Sequence, residues 1–276
     1  MLLIVCATAL WGMLGIFTMR LDEYGLNVYE ISLIRSAICA AGIAAIMVLT
    51  ERSAMRIRKE HLLFFISMGL AKTLCTYTMF AAQLEIPIAL ASVLQMTSPF
   101  TVMIFAWLMF GEKIRKTGVI AAIIALIGCV IVSDALSGPG FGLVGILLGL
   151  ASAVFLSLNV VGTKRSTKIG YTGNTFILYS NLFSAVFAVF GVGFGGDFGN
   201  IARAMTDLPA VGDALMLSLG CTMLPLFLQA KALDRLDAGI VATVGMLEIV
   251  FAVLFGYMVG ETLTVTNLIG ILIIML

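Results

Sequence analysis

The chain has 276 residues, 61% of them hydrophobic and only 11% charged, with a formal net charge of +1 and a mean hydropathy of +1.14. That composition leaves little chain for any water-soluble domain, and the near-zero net charge argues against nucleic acid as a partner, because nucleic-acid binding needs a basic patch. The five cysteines, Cys6, Cys39, Cys75, Cys129 and Cys221, show no CxxC spacing or histidine pairing, so neither a disulfide framework nor a metal site is expected.

A helix needs about 20 apolar residues to cross a bilayer, and lipid-exposed backbone can be satisfied only in helices or closed barrels. The polar alternation of barrel strands is absent, so the expected fold is an all-α integral membrane protein of ten transmembrane helices. In chain order these are residues 2–19, 28–49, 62–82, 88–110 and 118–133, then 142–163, 175–194, 211–229, 239–259 and 264–276. The first block has no basic n-region and no small-residue cleavage pattern, and is read as a retained helix rather than a signal peptide. The last is short for a span, so either it inserts thinly or the natural chain continues past Leu276.

The loops between these blocks fall into two sets. One carries Arg52, Arg56, Arg58, Lys59, Lys113, Arg115, Lys116, Lys164, Arg165, Lys168, Lys231 and Arg235, while the other carries only Arg20 and Arg203. Basic residues concentrate in cytoplasmic loops, so both termini are expected in the cytoplasm of a multi-pass protein of the cell membrane. The basic loops then have anionic lipid headgroups as neighbours.

The two halves match at a shift of 149 residues, which places Gly111-Glu112 on Gly260-Glu261, Leu84 on Leu233, Ala89 on Ala238, Thr117 on Thr266 and Ile120 on Ile269. The repeats are taken as residues 1–134 and 141–276. Five spans each is an odd number, so the second half enters the membrane upside down relative to the first. Inverted repeats are a transporter arrangement, although duplication can also build a scaffold or a channel.

Charged groups at membrane depth are functional candidates by default. Lys72 lies halfway along the third span, Glu248 near the middle of the ninth, and Arg35 about two turns into the second. Gly69, Lys72, Thr76, Met79 and Gln83 recur at helical spacing and form one polar or small stripe expected to face a cavity. Ser92, Gln95 and Pro99, with Ser98 beside them, give the fourth span a similar face, and Pro99 frees a backbone carbonyl there. The candidate substrate-binding residues are therefore Lys72, Thr76, Gln83, Gln95, Glu248 and Arg35, with Glu248 also the proton-coupling candidate. Alternatives stand beside these readings. Lys72 and Glu248 could pair with each other across the repeat interface, and Arg35 could snorkel outward or hold helix carbonyls. Glu112 and Glu261 read as turn and helix-start residues, Trp11 as packing, Gly145 and Gly149 as close-packing positions and His61 as interfacial. Asn159, Asn181 and Gln229 either bridge helices or line the path.

The pattern Ala9-Leu10-Trp11-Gly12, Arg35, the run Ala89-Leu90-Ala91-Ser92-Val93-Leu94 leading to Pro99, and Gly111-Glu112-Lys113 resembles the EamA group of the drug/metabolite transporter superfamily. The second half resembles the same domain again through Asp237-Ala238-Gly239, Glu248, Gly260-Glu261-Thr262-Leu263-Thr264 and Gly270. The resemblance covers essentially the whole chain and implies secondary transport, in a group whose cargoes include amino acids, sugars, nucleotide derivatives and drugs. Ile249 stands where a Glu-Pro pair is common in the group, which implies that the helix around Glu248 lacks the usual proline break.

The expected function is thus secondary active transport of a small polar metabolite, an amino acid or related organic anion or zwitterion, in the export direction or otherwise, by alternating access and without a cofactor. No GxxxxGK[ST] loop points to ATP hydrolysis, and no GxSxG or HExxH motif points to an enzyme. A lipid or lipid-linked headgroup flippase is the first alternative, distinguished by a lateral opening between helices, and an intramembrane enzyme is the next.

Overall fold

The computed structural model describes residues 1–86, 88–132, 142–258 and 265–275, and the side chains of all of these except 88, 89, 132 and 267. The described residues are helical apart from short connections, with no strand among them. Eight helical segments are long and apolar enough to cross a membrane, and Lys116–Ile131 is a shorter apolar helix.

The first span is α1 (Leu2–Gly12) and α2 (Leu14–Glu23), joined at Met13. α3 (Val28–Thr50) follows Asn27, whose side chain accepts from the Tyr29 and Glu30 N–H groups at 3.0 and 3.2 Å. Glu30 answers by accepting from the Asn27 N–H at 2.7 Å, so a reciprocal capping box fixes where this helix begins. α4 (Leu62–Glu85) is a continuous helix. The fourth span is broken into α5 (Ile88–Gln95) and α6 (Ser98–Phe110), because Pro99 lacks the N–H that would meet the Gln95 carbonyl. α7 (Lys116–Val132) completes the first half.

In the second half α8 (Leu143–Lys168) and α9 (Gly173–Gly195) are continuous. A short α10 (Phe198–Ala204) leads to a span made of α11 (Leu208–Leu215), a π-helical segment over Met216–Met223, and α12 (Leu224–Leu233). Within it the Thr222 hydroxyl donates to the Leu217 carbonyl at 2.8 Å, five residues back. The next span corrects the expectation of a continuous helix around Glu248: it divides into α13 (Ala238–Gly245) and α14 (Leu247–Met258) without a proline. The Met246 N–H reaches back only three residues, to Thr243. The Thr243 hydroxyl bonds the Gly239 carbonyl at 2.9 Å, a contact that bends helices, and Gly245 adds backbone freedom. α15 (Val265–Ile274) is last. Gly260-Glu261 lies outside the described residues.

The dominant packing pairs are α4 with α8, α3 with α9, α7 with α15, α4 with α9, and α1 with both α12 and α14. Close approach is bought by glycine at the tightest crossings: a Cβ on Gly69 would sit 2.4 Å from the Phe183 Cβ, and one on Gly12 would sit 2.7 Å from the Phe251 Cβ. Gly145 and Gly149 serve the same end against Ile86 and Leu94. Trp11 packs into the cluster around Val160, Leu233 and Val241, as its packing reading expected.

Both ends of the bundle are tied by polar contacts. Gly111 closes α6 in the left-handed conformation at φ 67°, which glycine adopts without steric cost. The turn delivers Glu112 not to its own helix but to the start of α13, where its carboxylate accepts the Ala238 N–H at 3.1 Å. The same carboxylate pairs with Lys164 at 2.6 Å, with both side chains mostly buried, and Lys164 also donates to the Leu236 carbonyl at 2.9 Å. At the opposite end, Asn27 donates to the Gly195 carbonyl at 2.8 Å. There the fully buried Glu30 accepts the Asp197 N–H at 2.7 Å and the Asn200 amide at 3.2 Å.

Candidate functional site

The site forms where α3, α4 and α9 meet. Three hydroxyls set their mutual rotation. Thr73 on α4 and Ser36 on α3 both meet the Ser184 hydroxyl on α9, at 3.0 and 3.2 Å, and all three are buried. Arg35 and Lys72 are the chain neighbours of Ser36 and Thr73, so this cluster aims both cations toward one region.

Lys72 donates from Nζ to Asn181 Oδ1 at 2.6 Å. Asn181 is 0% exposed and its Nδ2 donates to the Ile177 carbonyl at 2.7 Å. A carbonyl only accepts and an ammonium only donates, so the amide fits in one orientation alone. One turn along α4, Thr76 accepts from Arg35 Nη2 at 3.1 Å and donates to the Lys72 carbonyl at 3.4 Å. The buried Arg35 Nε–H has no acceptor among the described residues. Arg35 thus neither snorkels outward nor holds helix carbonyls.

The two cations are electrostatic neighbours of one another and of the Cys39 and Cys75 thiols, and among the described residues no carboxylate pairs with either. Among the described residues no salt bridge involves Lys72, Arg35 or Glu248. Glu248 sits half-buried in the first turn of α14, just past the break at Met246, where a carboxylate faces the positive end of its own helix. The alternative of a Lys72–Glu248 pair is therefore not what this conformation holds.

The remaining candidates divide. Gln95, at the end of α5, points its amide at Cys75 Sγ, 3.6 Å away, and at the Ser152 hydroxyl, 3.4 Å away, so it joins the cluster through Cys75. Gln83 stays apart near the other end of α4, half-buried and without a side-chain hydrogen bond among the described residues. The predicted stripe on α4 is split in use: Gly69 packs against α9 beside Thr73, which lies outside the stripe, while Lys72 and Thr76 carry the polar site. The residues that sequence reasoning did not single out are Asn181, left between bridging and lining, and Cys75, read as core. An amide in the middle of an apolar span was the available signal for Asn181.

A bundle of membrane-length helices with cations inside its spans and interrupted helices is an arrangement found in membrane transporters. The sequence signature described as "EamA-like transporter family" matches residues 1–134 and again residues 143–276. The chain belongs to the EamA-like transporter family, part of the drug/metabolite transporter superfamily, and is a multi-pass membrane protein. Two curated relatives from strains of Helicobacter pylori, each named "Uncharacterized transporter", are 30% and 29% identical over 183 residues, covering 64% of this chain. The matched segment spans 59% of the length of each of those relatives. A solved structure titled only "Crystal structure of protein" superposes with a TM-score of 0.80 at 19% identity, covering 99% of this chain and 93% of its own. That likeness speaks for the fold.

Proposed function

We propose that this protein is a secondary transporter of a small polar metabolite bearing a carboxylate or phosphate, an amino acid or related organic anion or zwitterion, moved by alternating access. The observation that carries the reading is the pair of cations, Lys72 and Arg35, held at bilayer depth by the neutral groups Asn181 and Thr76, with no carboxylate paired to either among the described residues. Unpaired charge in a low-dielectric interior is costly, and an anionic cargo relieves that cost on arrival.

Ten spans as two inverted repeats of five are supported by the packing. α4 on α8 is mirrored by α12 on α1, and α1 on α13 and α14 is mirrored by α8 on α5 and α6. The breaks fall at Thr97 and Met246, which the 149-residue shift superimposes. The basic loops support a topology with both termini in the cytoplasm, and Glu248 is the group assigned to proton coupling.

The test is a thermal-stability screen of the purified protein against amino acids, organic acids, sugar phosphates and cationic amines. Binding to the folded state adds about 2.7 kcal/mol at a ligand concentration of 100 Kd. Anions or zwitterions should raise the melting temperature in the wild type and not in Lys72→Gln. A Lys72→Gln protein that still responds and still transports would overturn the assignment.

A further inference from the structure

We propose that Asn181 is the positioning residue that sets the charge preference of the site, by holding the Lys72 ammonium with a neutral acceptor so that its charge stays available to a carboxylate or phosphate of the cargo. This rests on the reading of Lys72 as the cargo contact given above.

Three observations converge on it. Asn181 is 0% exposed in the middle of α9, and its amide is oriented by the Ile177 carbonyl at 2.7 Å. Its oxygen lies 2.6 Å from Lys72 Nζ, a short charge-assisted bond that directs the ammonium. Among the described residues no carboxylate pairs with Lys72, whose ionisable neighbours are Arg35, Cys39 and Cys75. An aspartate differs from asparagine by little volume and would satisfy Lys72 outright as an ion pair. The amide instead fixes the ammonium while cancelling none of its charge. The second cation is handled in the same way. Arg35 is steadied by a hydroxyl, Thr76, one helical turn from Lys72, and keeps a buried N–H unspent. Neutral acceptors on two different helices thus leave two positive charges side by side.

A merely structural hydrogen bond and a charge-setting one make opposite predictions for two substitutions. Asn181→Asp gives Lys72 a stronger partner and should leave the unliganded protein as stable as wild type or more so, while cancelling the charge that attracts an anion. Asn181→Ser weakens the bond and should lower unliganded stability, while leaving the ammonium uncompensated. The experiment measures melting temperatures of the purified full chain titrated separately with succinate, glutamate and inorganic phosphate. At least one probe should stabilise the wild type. In Asn181→Asp the concentration for half-maximal shift should rise about tenfold or more, and in Asn181→Ser it should stay within about threefold of wild type. If affinity instead falls in step with unliganded stability across the two variants, Asn181 is a structural tie and the proposal is overturned. It is overturned as well if Asn181→Asp binds like wild type while Lys72→Gln does not, a result that leaves the Lys72 reading standing. If no probe stabilises the wild type, or Lys72→Gln binds as wild type does, that reading falls and takes this inference with it. Should Asn181→Asp fail to fold, the exchange Lys72→Asn with Asn181→Lys decides, since it moves the ammonium across the same gap. Retained anion binding supports the proposal and lost binding overturns it.

Discussion

At the scale of single residues, the two charges at membrane depth do different jobs with different geometry. Lys72 is a point charge held by one amide oxygen, whereas the planar guanidinium of Arg35 reaches Thr76 with one nitrogen and keeps another donor free. Arg35→Lys therefore preserves charge and loses the fork, and anion affinity should fall about tenfold in the same thermal titration with unliganded stability little changed. Cys75, which sits between Gln95 and Ser152, offers a native reporter. In a background where the other cysteines are replaced, a methanethiosulfonate reagent should label it only as the site opens, and the bound anion should slow that labelling. Glu248→Gln should abolish dependence of transport on an imposed proton gradient while leaving anion binding intact; proton-driven uptake or efflux unchanged in that variant would remove Glu248 from coupling. Lys72 and Arg35 were legible because a charge inside a run of apolar residues stands out. Asn181 was not, since an uncharged amide in a span serves equally well as helix bridge or path lining until its neighbours are known.

At the scale of the helices, close packing and interruption were read with unequal success. Pro99 announced the break between α5 and α6. The matching break at Met246 has no proline, and its cause, a three-residue back-bond after a bending threonine and a glycine, is a local arrangement that composition does not reveal. The π segment over Met216–Met223 packs against α3, α1 and α2, and no residue pattern announces it. Glycine offers a sharp contrast for measurement. Gly12 meets the backbone nitrogen of Ala252 at 2.8 Å from its would-be Cβ, whereas nothing lies within 4 Å of the same position on Gly15. Gly12→Val should destabilise by about 1–3 kcal/mol through overpacking. Gly15→Ala should be neutral or stabilise by up to about 1 kcal/mol through helix propensity, both read from denaturation of the purified protein.

At the scale of the whole molecule, the basic end is closed by a contact that joins three spans. Glu112 at the end of α6 holds Lys164 of α8 and the first N–H of α13. Lys164→Met would strand a mostly buried carboxylate and should cost about 3 kcal/mol or more. Glu112→Gln should cost less, because its side-chain oxygen can still accept the Ala238 N–H and Lys164 keeps the Leu236 carbonyl. The reverse ranking of melting temperatures would refute this account of the contact. In the alternating access proposed above, opening toward that end would break this contact, so both variants should also raise the reactivity of Cys75 toward reagents added from the basic side. The Gly111-Glu112 hinge was visible in the sequence as a repeated dipeptide, yet its carboxylate serves a helix more than a hundred residues away, which no local pattern discloses.

The neutral partners of Lys72 and Arg35 also bear on how the membrane voltage acts on the working cycle. An unloaded site with two unbalanced positive charges feels the field more strongly than one in which a monovalent anion has cancelled one of them, at about 2.3 kcal/mol per elementary charge for each 100 mV traversed. In the alternating access proposed above, return of the empty carrier is then the more voltage-sensitive limb. An inside-negative membrane should speed return of the empty site toward the cytoplasm and slow its return outward, while one-for-one exchange of labelled cargo, in which the loaded site carries one positive charge rather than two, should respond about half as strongly.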